Sequence, residues 1–548
     1  MNTRISVGNR LQEHHRRLLT AGAALLLVLP WGARAGGVVT TCTEAALRAA
    51  MAGGGTVTFA CDGTITLGRT ITNVVDTLLD GSGHDVAISG GGSVQVFWVS
   101  TNVSFTIHNL AIVNGLSTNG GGGGVFNAGG TLNATNCAFV GNSASGPPVF
   151  AGSPSFGGAI YNAGALHASG CSFLQNSVTG GAGVYGFGGG TWSSPGPGGS
   201  GGPGSGGAIY NAGTMAVERS LFANNTVAGG TGGHGGDGVW IYMWTGIPQT
   251  GGHGGNGGDG NGGALFNGGT AALVNCTFAG NSGMGGAGGR GGNGGAIIES
   301  GRMTSFPGGD GGNGGSGFGA LCDATGLLCL TNCTVAVNTA VASSGGAGGS
   351  SGGGMGGSSG TNGGAWGGVK SSGSAFINTL LAANSPGGNT FGAVADLGHN
   401  LSSDNTCSFT NTGSLNNTDP KIGPLANNGG PTLTMALLPG SPAIDAADPA
   451  AAPATDQRGI RRPLGPTPDI GAFEYGLPAV LRISGSQETG LDLIVSAYPG
   501  LSCRLLVNSG LSNWLPIATN QIGTNGTALF HDNCMPGAAC LFYRAVVP

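Results

Sequence analysis

GGAIYNAGALHASGCSFLQNSV, residues 157–178, opens with an eight-residue string, GGAIYNAG, that returns verbatim at 206–213. Aligning the chain on itself from this point gives six copies of one unit. Their second halves are TNCAFVGNS (135–143), SGCSFLQNS (169–177), ERSLFANNT (218–226), VNCTFAGNS (274–282), TNCTVAVNT (331–339) and INTLLAANS (377–385). Three columns recur. A small residue stands at Cys137, Cys171, Ser220, Cys276, Cys333 and Thr379. Two places on, an apolar one stands at Phe139, Phe173, Phe222, Phe278, Val335 and Leu381. Three further on comes an unbroken column of Asn142, Asn176, Asn225, Asn281, Asn338 and Asn384.

Small and apolar side chains two apart on one side require an extended strand, because side chains alternate with period two. Asn at each corner suits a tight turn, since it tolerates left-handed dihedrals and its amide can bond to the same residue in the next copy. A unit of this length, stacked on itself, predicts an all-β chain wound as a parallel β-helix with ladders of identical side chains. Upstream, TVTFACDGTITLGRTIT and VQVFWVSTNVSFTIHNLAIVNG alternate in the same way, so about nine or ten rungs are expected. A helix over 43–52, within an N-terminal cap of about 38–55, should close the first rung.

The spacing between copies is uneven because glycine-rich insertions interrupt them at about 179–205, 228–261, 283–318 and 340–362. Glycine makes up 120 of the 548 residues, and charged residues only 7%. Within the insertions glycine follows a period of three, as in GGTGGHGGDG. That period fits an extended three-residue helix whose glycine faces let backbones pack closely. Two readings follow: hairpins of such helices layered beside the rod with apolar tips, or disordered glycine linker.

Residues 1–35 read as a signal peptide: Arg10, Arg16 and Arg17 precede the apolar run AGAALLLVLP, with small residues at Ala33 and Ala35. The expected setting is outside the cytoplasm of a bacterium, secreted or at the cell surface, with no transmembrane span after signal removal. In that setting Cys42 and Cys61 could staple the capping helix to the next strand. The cysteines of the repeat column, where Ser and Thr substitute, are expected to be buried free thiols. The net charge of −5 carries no basic block, so no nucleic-acid partner is expected.

The motifs add a resemblance. The opening CTEAALRAAMAGGGTVTFACDGTITL followed by LDGSGHDVAISG resembles exported bacterial pectin-lyase-like β-helix proteins, and the GGAIYN and FxxN repeats are similar to polymorphic outer-membrane-type proteins. SPAID, TDQRG and DIGAFEY within 438–475 resemble a choice-of-anchor Q motif. The resemblance implies a right-handed helix over about 36–475 and a secreted or surface location. The charged cluster at 445–474 is read as a cap on the last rung. Residues 477–548 resemble the small β-sandwich modules that end exported proteins. Trp514 there is a core residue or a sugar contact.

Pectin-lyase-like folds include polysaccharide lyases and glycoside hydrolases, which need paired carboxylates or a base with cation support. From 86 to 217 there is no Asp, Glu, Lys or Arg. Asp323 falls in the column of Asn127, Asn162, Asn211 and Asn267 and is read as a turn residue. Only Asp62, Asp76, Asp80 and Asp85, near His84, are dense enough to be a catalytic set, and each also suits a turn. GGHGGDGVW (232–240) fits a calcium nonapeptide only formally, and neither metal nor cofactor is expected. The expected function is a non-enzymatic, adhesin-like or structural protein. Trp240, Tyr242 and Trp244 on an insertion tip would contact carbohydrate or another surface. The competing expectation is a polysaccharide-degrading enzyme.

Overall fold

In a computed structural model of the chain, residues 36–476 are described except 149–150, 243–246, 352 and 354. Further on, the described segments are 480–486, 490–497, 502–508, 514–523, 526–532 and 542–546. The signal-peptide segment lies outside these residues.

Short strands stack in register into a right-handed parallel β-helix with three long sheets of eleven, ten and nine strands. The quoted repeat is one rung lying on the next: Ile160, Tyr161 and Asn162 pair in parallel with Ile209, Tyr210 and Asn211. The rung number follows from the ten-stranded sheet, which takes one strand from each turn. In the middle of the rod the turns widen, and two further sheets of six and five strands flank the roots of the insertions.

Side chains explain why the register holds. Phe139, Phe173, Phe222 and Phe278 are fully buried and stack with centroids 4.9, 4.6 and 4.5 Å apart. Each such burial stabilises by roughly 1.5–3 kcal/mol, and a slip of one residue would turn the whole column outward. The Asn column is a continuous amide ladder. Asn176 Nδ2 donates to Asn225 Oδ1 (2.9 Å) and Phe139 O (2.9 Å), while its Oδ1 accepts from the backbone N and Nδ2 of Asn142 (both 3.0 Å). Every polar site of the buried amide is used. A second ladder runs Asn127, Asn162, Asn211, Asn267 to Asp323, which accepts at 3.0 Å and is buried as a turn residue.

The corner geometry differs from expectation in one respect. The left-handed residue sits one place before the ladder Asn: Gly141, Gln175, Asn224, Gly280, Val337 and Ala383 have positive φ. The ladder amide is thereby freed to point inward, while its neighbour takes the backbone strain.

The helix Glu44–Met51 buries Leu47 and Met51 in the core at the first rung, and its tether is the disulfide Cys42–Cys61. Cys137, Cys171, Cys276 and Cys333 are free and buried, and burial pushes the Cys276 thiol well up. The other end is closed by the loop after Ser402, which sends Cys407 and Phe409 into the same core. Residues 438–475 therefore do not lie over the last rung. They form a strap along the outer flank of the ten-stranded sheet, where Ile470 and Phe473 cover Ala279, Ala336 and Ala382. The corner residues Asn275, Asn332 and Asn378 bond to Thr455 O (2.7 Å), Asp469 O (3.0 Å) and Asp448 O (3.1 Å) across it. Within the strap, Arg462 and Glu474 make a fully buried ion pair at 2.9 Å. Arg458 pairs with Asp456 and stacks 3.7 Å over Phe473.

Beyond residue 476 the described strands form two three-stranded antiparallel sheets around Leu493, Val495, Cys503, Leu505 and Phe530. Trp514 is half-buried there.

Candidate functional site

The described residues of the four insertions form regular extended helices. Each leaves the rod as one extended helix and returns as another, giving a fin of two layers knit by backbone hydrogen bonds. In a triplet GGX, the first glycine donates within its own layer and the second donates across to the other. Gly232 N reaches Ala287 O and Gly235 N reaches Arg290 O, each at 2.8 Å, along the outgoing layer. Gly233 N reaches Gly199 O and Gly255 N reaches Gly233 O, also at 2.8 Å, between layers. Helices meet so closely that a Cβ on Gly233 or Gly255 would lie 1.9 or 2.0 Å from a neighbouring carbonyl oxygen. Glycine is obligatory at both positions for that reason, and the linker reading is excluded.

The third position points outward from the layer, and its own N–H has no backbone acceptor. At several of these positions a side chain of the preceding helix supplies one. Asp237 accepts from Asn293 N (2.6 Å), Asn256 from Asn313 N (2.8 Å), Asp259 from Ser316 N (2.7 Å) and Asp310 from Ser358 N (2.7 Å). His234 and His253 use Nδ1 in the same way toward Arg290 N and Asp310 N. These residues of the calcium-like motif are thus fixed as backbone acceptors. Among the described residues no group of three or more His, Cys, Asp or Glu is placed to hold a metal ion.

Aromatic side chains collect at the far end of the fin. Tyr185, Phe187, Trp192, Trp240 and Tyr242 are all more than half exposed. Trp240 and Tyr242 were expected there; Trp244 lies outside the described residues. Tyr185, Phe187 and Trp192 belong to the first insertion and escape sequence reasoning because nothing in their spacing places them beside the second tip. What joins the tips is Gln249, fully buried, whose Nε2 donates to Gly190 O (3.1 Å) and whose Oε1 accepts from Val239 N (3.2 Å). Gln249 thus ties the described parts of the two tips together.

The rod has its own aromatic row, Trp98, Phe126, Tyr161, Tyr210 and Phe266, on the outer face of the nine-stranded sheet. Neighbouring rings stack at 4.3–5.3 Å, within 10° of parallel. Their faces are consumed by one another, so inside the row none is free to stack on a sugar ring.

The structure brings Asp62 and Asp85 together on neighbouring rungs and sets Asp76 and Asp80 four residues apart along one strand. Asp62 accepts from Asp85 N (2.7 Å) and lies 3.3 Å from His84 Nδ1. Asp80 accepts from the hydroxyl and N–H of Ser82, and Asp76 from Ser104 N (3.0 Å). The Asp85 N–H holds the Asp62 carboxyl below its usual range, and the Ser82 hydroxyl does the same for Asp80. Both are thereby poor proton donors. Asp76 and Asp80 flank one strand, about 13 Å apart at roughly 3.3 Å per residue, beyond the 5–10 Å of paired glycosidase carboxylates. Asp62, Asp76 and Asp80 are placed as acceptors of backbone N–H groups.

Compared with protein-family models, with curated proteins and with solved structures, the chain matches none of them.

Proposed function

We propose that the protein is an exported, non-enzymatic β-helix rod of a bacterial surface or secretome, adhesin-like or structural, whose fin presents an aromatic edge to carbohydrate or another surface. The motif resemblance to pectin-lyase-like and choice-of-anchor Q proteins supports the exported setting. The observation that carries the binding role is the contrast between two aromatic groups. Rings on the rod are stacked face to face, whereas Tyr185, Phe187, Trp192, Trp240 and Tyr242 stand exposed on an edge tied by Gln249. Large apolar surface held in water is costly unless a partner covers it.

The test is sedimentation of the protein with insoluble plant, algal and bacterial polysaccharides. Replacing Trp192, Trp240 and Tyr242 together by Ala should abolish co-sedimentation while leaving the thermal midpoint within about 2 °C, since exposed side chains contribute little to folding. Retained binding would remove the edge from consideration. A collapse in stability would make the aromatics packing residues.

A further inference from the structure

On the outgoing face of the fin, inboard of the aromatic edge, runs a trough of about 550 Å³. It exists because the third-position row Ala182, Thr231, Ala287 is small while the next row outward carries Tyr185 and His234. The rows are three residues apart, about 9 Å at roughly 3.1 Å per residue. Tyr185 leans on the His234 ring, with centroids 5.0 Å apart at 41°, and remains 73% exposed. One wall is therefore an aromatic ring with a free face.

The floor carries hydrogen-bond donors. In neighbouring positions the outward N–H is capped by a side chain of the preceding helix, as Arg290 N is by His234 and Asn293 N by Asp237. Ala182 cannot cap Thr231 N, and the N–H groups of Thr231 and Ala287 have no acceptor among the described residues. Because His234 Nδ1 accepts the Arg290 N–H, its ring proton sits on Nε2 and is another donor. The trough thus offers donors beside methyl groups, and no ionised side chain lines it.

We infer that the trough binds an N-acetylhexosamine unit of a polysaccharide. The acetamido carbonyl accepts from the Thr231 and Ala287 N–H groups, its methyl rests on Ala287, and the pyranose face stacks on Tyr185. An acetamido group presents a carbonyl acceptor and a methyl side by side, which matches N–H groups set beside methyl groups. This assignment rests on the carbohydrate reading of the fin and narrows it to one sugar class.

The test is calorimetric titration of the purified full chain with N-acetylglucosamine hexamer, glucosamine hexamer and cellohexaose. The N-acetylated hexamer should bind at least tenfold more tightly than either of the others. Ala287→Phe, which fills the trough from an outward-facing position, should abolish binding, and Thr231→Leu serves where that variant unfolds. Tyr185→Phe should retain binding and Tyr185→Ala lose at least tenfold. Equal affinity for the three hexamers, or full binding by Ala287→Phe, overturns the assignment. If the tip triple variant loses co-sedimentation while none of the hexamers binds wild type, the trough fails and the aromatic edge stands. If wild type neither binds a hexamer nor sediments with any polysaccharide, both fail.

Discussion

Gly255→Ala is the perturbation that separates an ordered fin from a flexible one. Gly255 lies in the returning helix of the second insertion, and a Cβ there would sit 2.0 Å from Gly199 O and 2.4 Å from its carbon. Ordinary contact needs more than 3 Å, so the helices must part by over an ångström. That opening breaks Gly255 N to Gly233 O, Gly289 N to Gly255 O and Gly201 N to Asn256 O, each now 2.8 Å. At about 1 kcal/mol net per bond the loss is about 3 kcal/mol, partly offset by the roughly 0.4–1 kcal/mol that Gly→Ala gains through the unfolded chain. Gly356→Ala is the matched control: it sits at the fin's last helix, with its nearest neighbour 3.3 Å away, and should be neutral within about 0.5 kcal/mol. Hydrogen exchange read by mass spectrometry over 229–260 should show protection falling by roughly thirty- to hundredfold in Gly255→Ala alone. The rod strands that carry the Phe column should exchange as in wild type. Unchanged protection of the fin in Gly255→Ala would refute the close-packed account.

Two further outcomes follow from the rod and its strap. Asn225→Ala removes four hydrogen bonds: Asn176 N loses its acceptor in the core, and Asn176 Nδ2, Phe173 O and Asn281 Oδ1 each lose one bond. A loss of at least about 3 kcal/mol in denaturant unfolding is expected, against within about 0.5 kcal/mol for the exposed Asn362→Ala. In the strap, burial and the nearby Glu474 push Asp469 up to about 7 from an ordinary 3.8. A group whose folded pKa is raised contributes stability that is complete below the unfolded value and lost as pH climbs through the folded one. Exchange protection over 438–475 should therefore fall between about pH 4 and pH 7, and Asp469→Asn should flatten that slope; a rise over the same window would contradict it.

The rod was readable because its signal is periodic and repeated. Cys171, Phe173 and Asn176 each recur in other copies, and stacking turns a sequence column into a physical ladder. Asp323 was assignable for the same reason, by its place in the Asn127 column. The corner residue was misplaced by one because Gln175, Val337 and Ala383 share no chemistry that marks positive φ. The strap was taken for an end cap since its partners, Asn275, Asn332 and Asn378, lie 70 to 180 residues away and look like ordinary corner Asn. The joined aromatic edge had no signal beyond composition: Gln249 acts through carbonyls of Gly190 and Ser193, and backbone partners leave no trace in a single sequence.

The period-three pattern carries one more message in the places where it fails. Glycine is required at a position only if another helix packs against it, so the breaks should fall where the fin has no neighbour. In the first outgoing helix the second position is Gly181 where Gly146, Pro147 and Ser153 cover it, then becomes Val184 and Phe187. In the last returning helix the first position, which elsewhere faces the next insertion, is occupied by Ser359 and Asn362. Both edges of the fin are thus closed by side chains that a further helix could not pack against. An edge of bare glycine would expose paired-strand geometry to any other copy of the chain, with the hazard that open sheet edges carry. The edges of the fin are therefore marked by Val184, Phe187, Ser359 and Asn362, where side chains replace glycine.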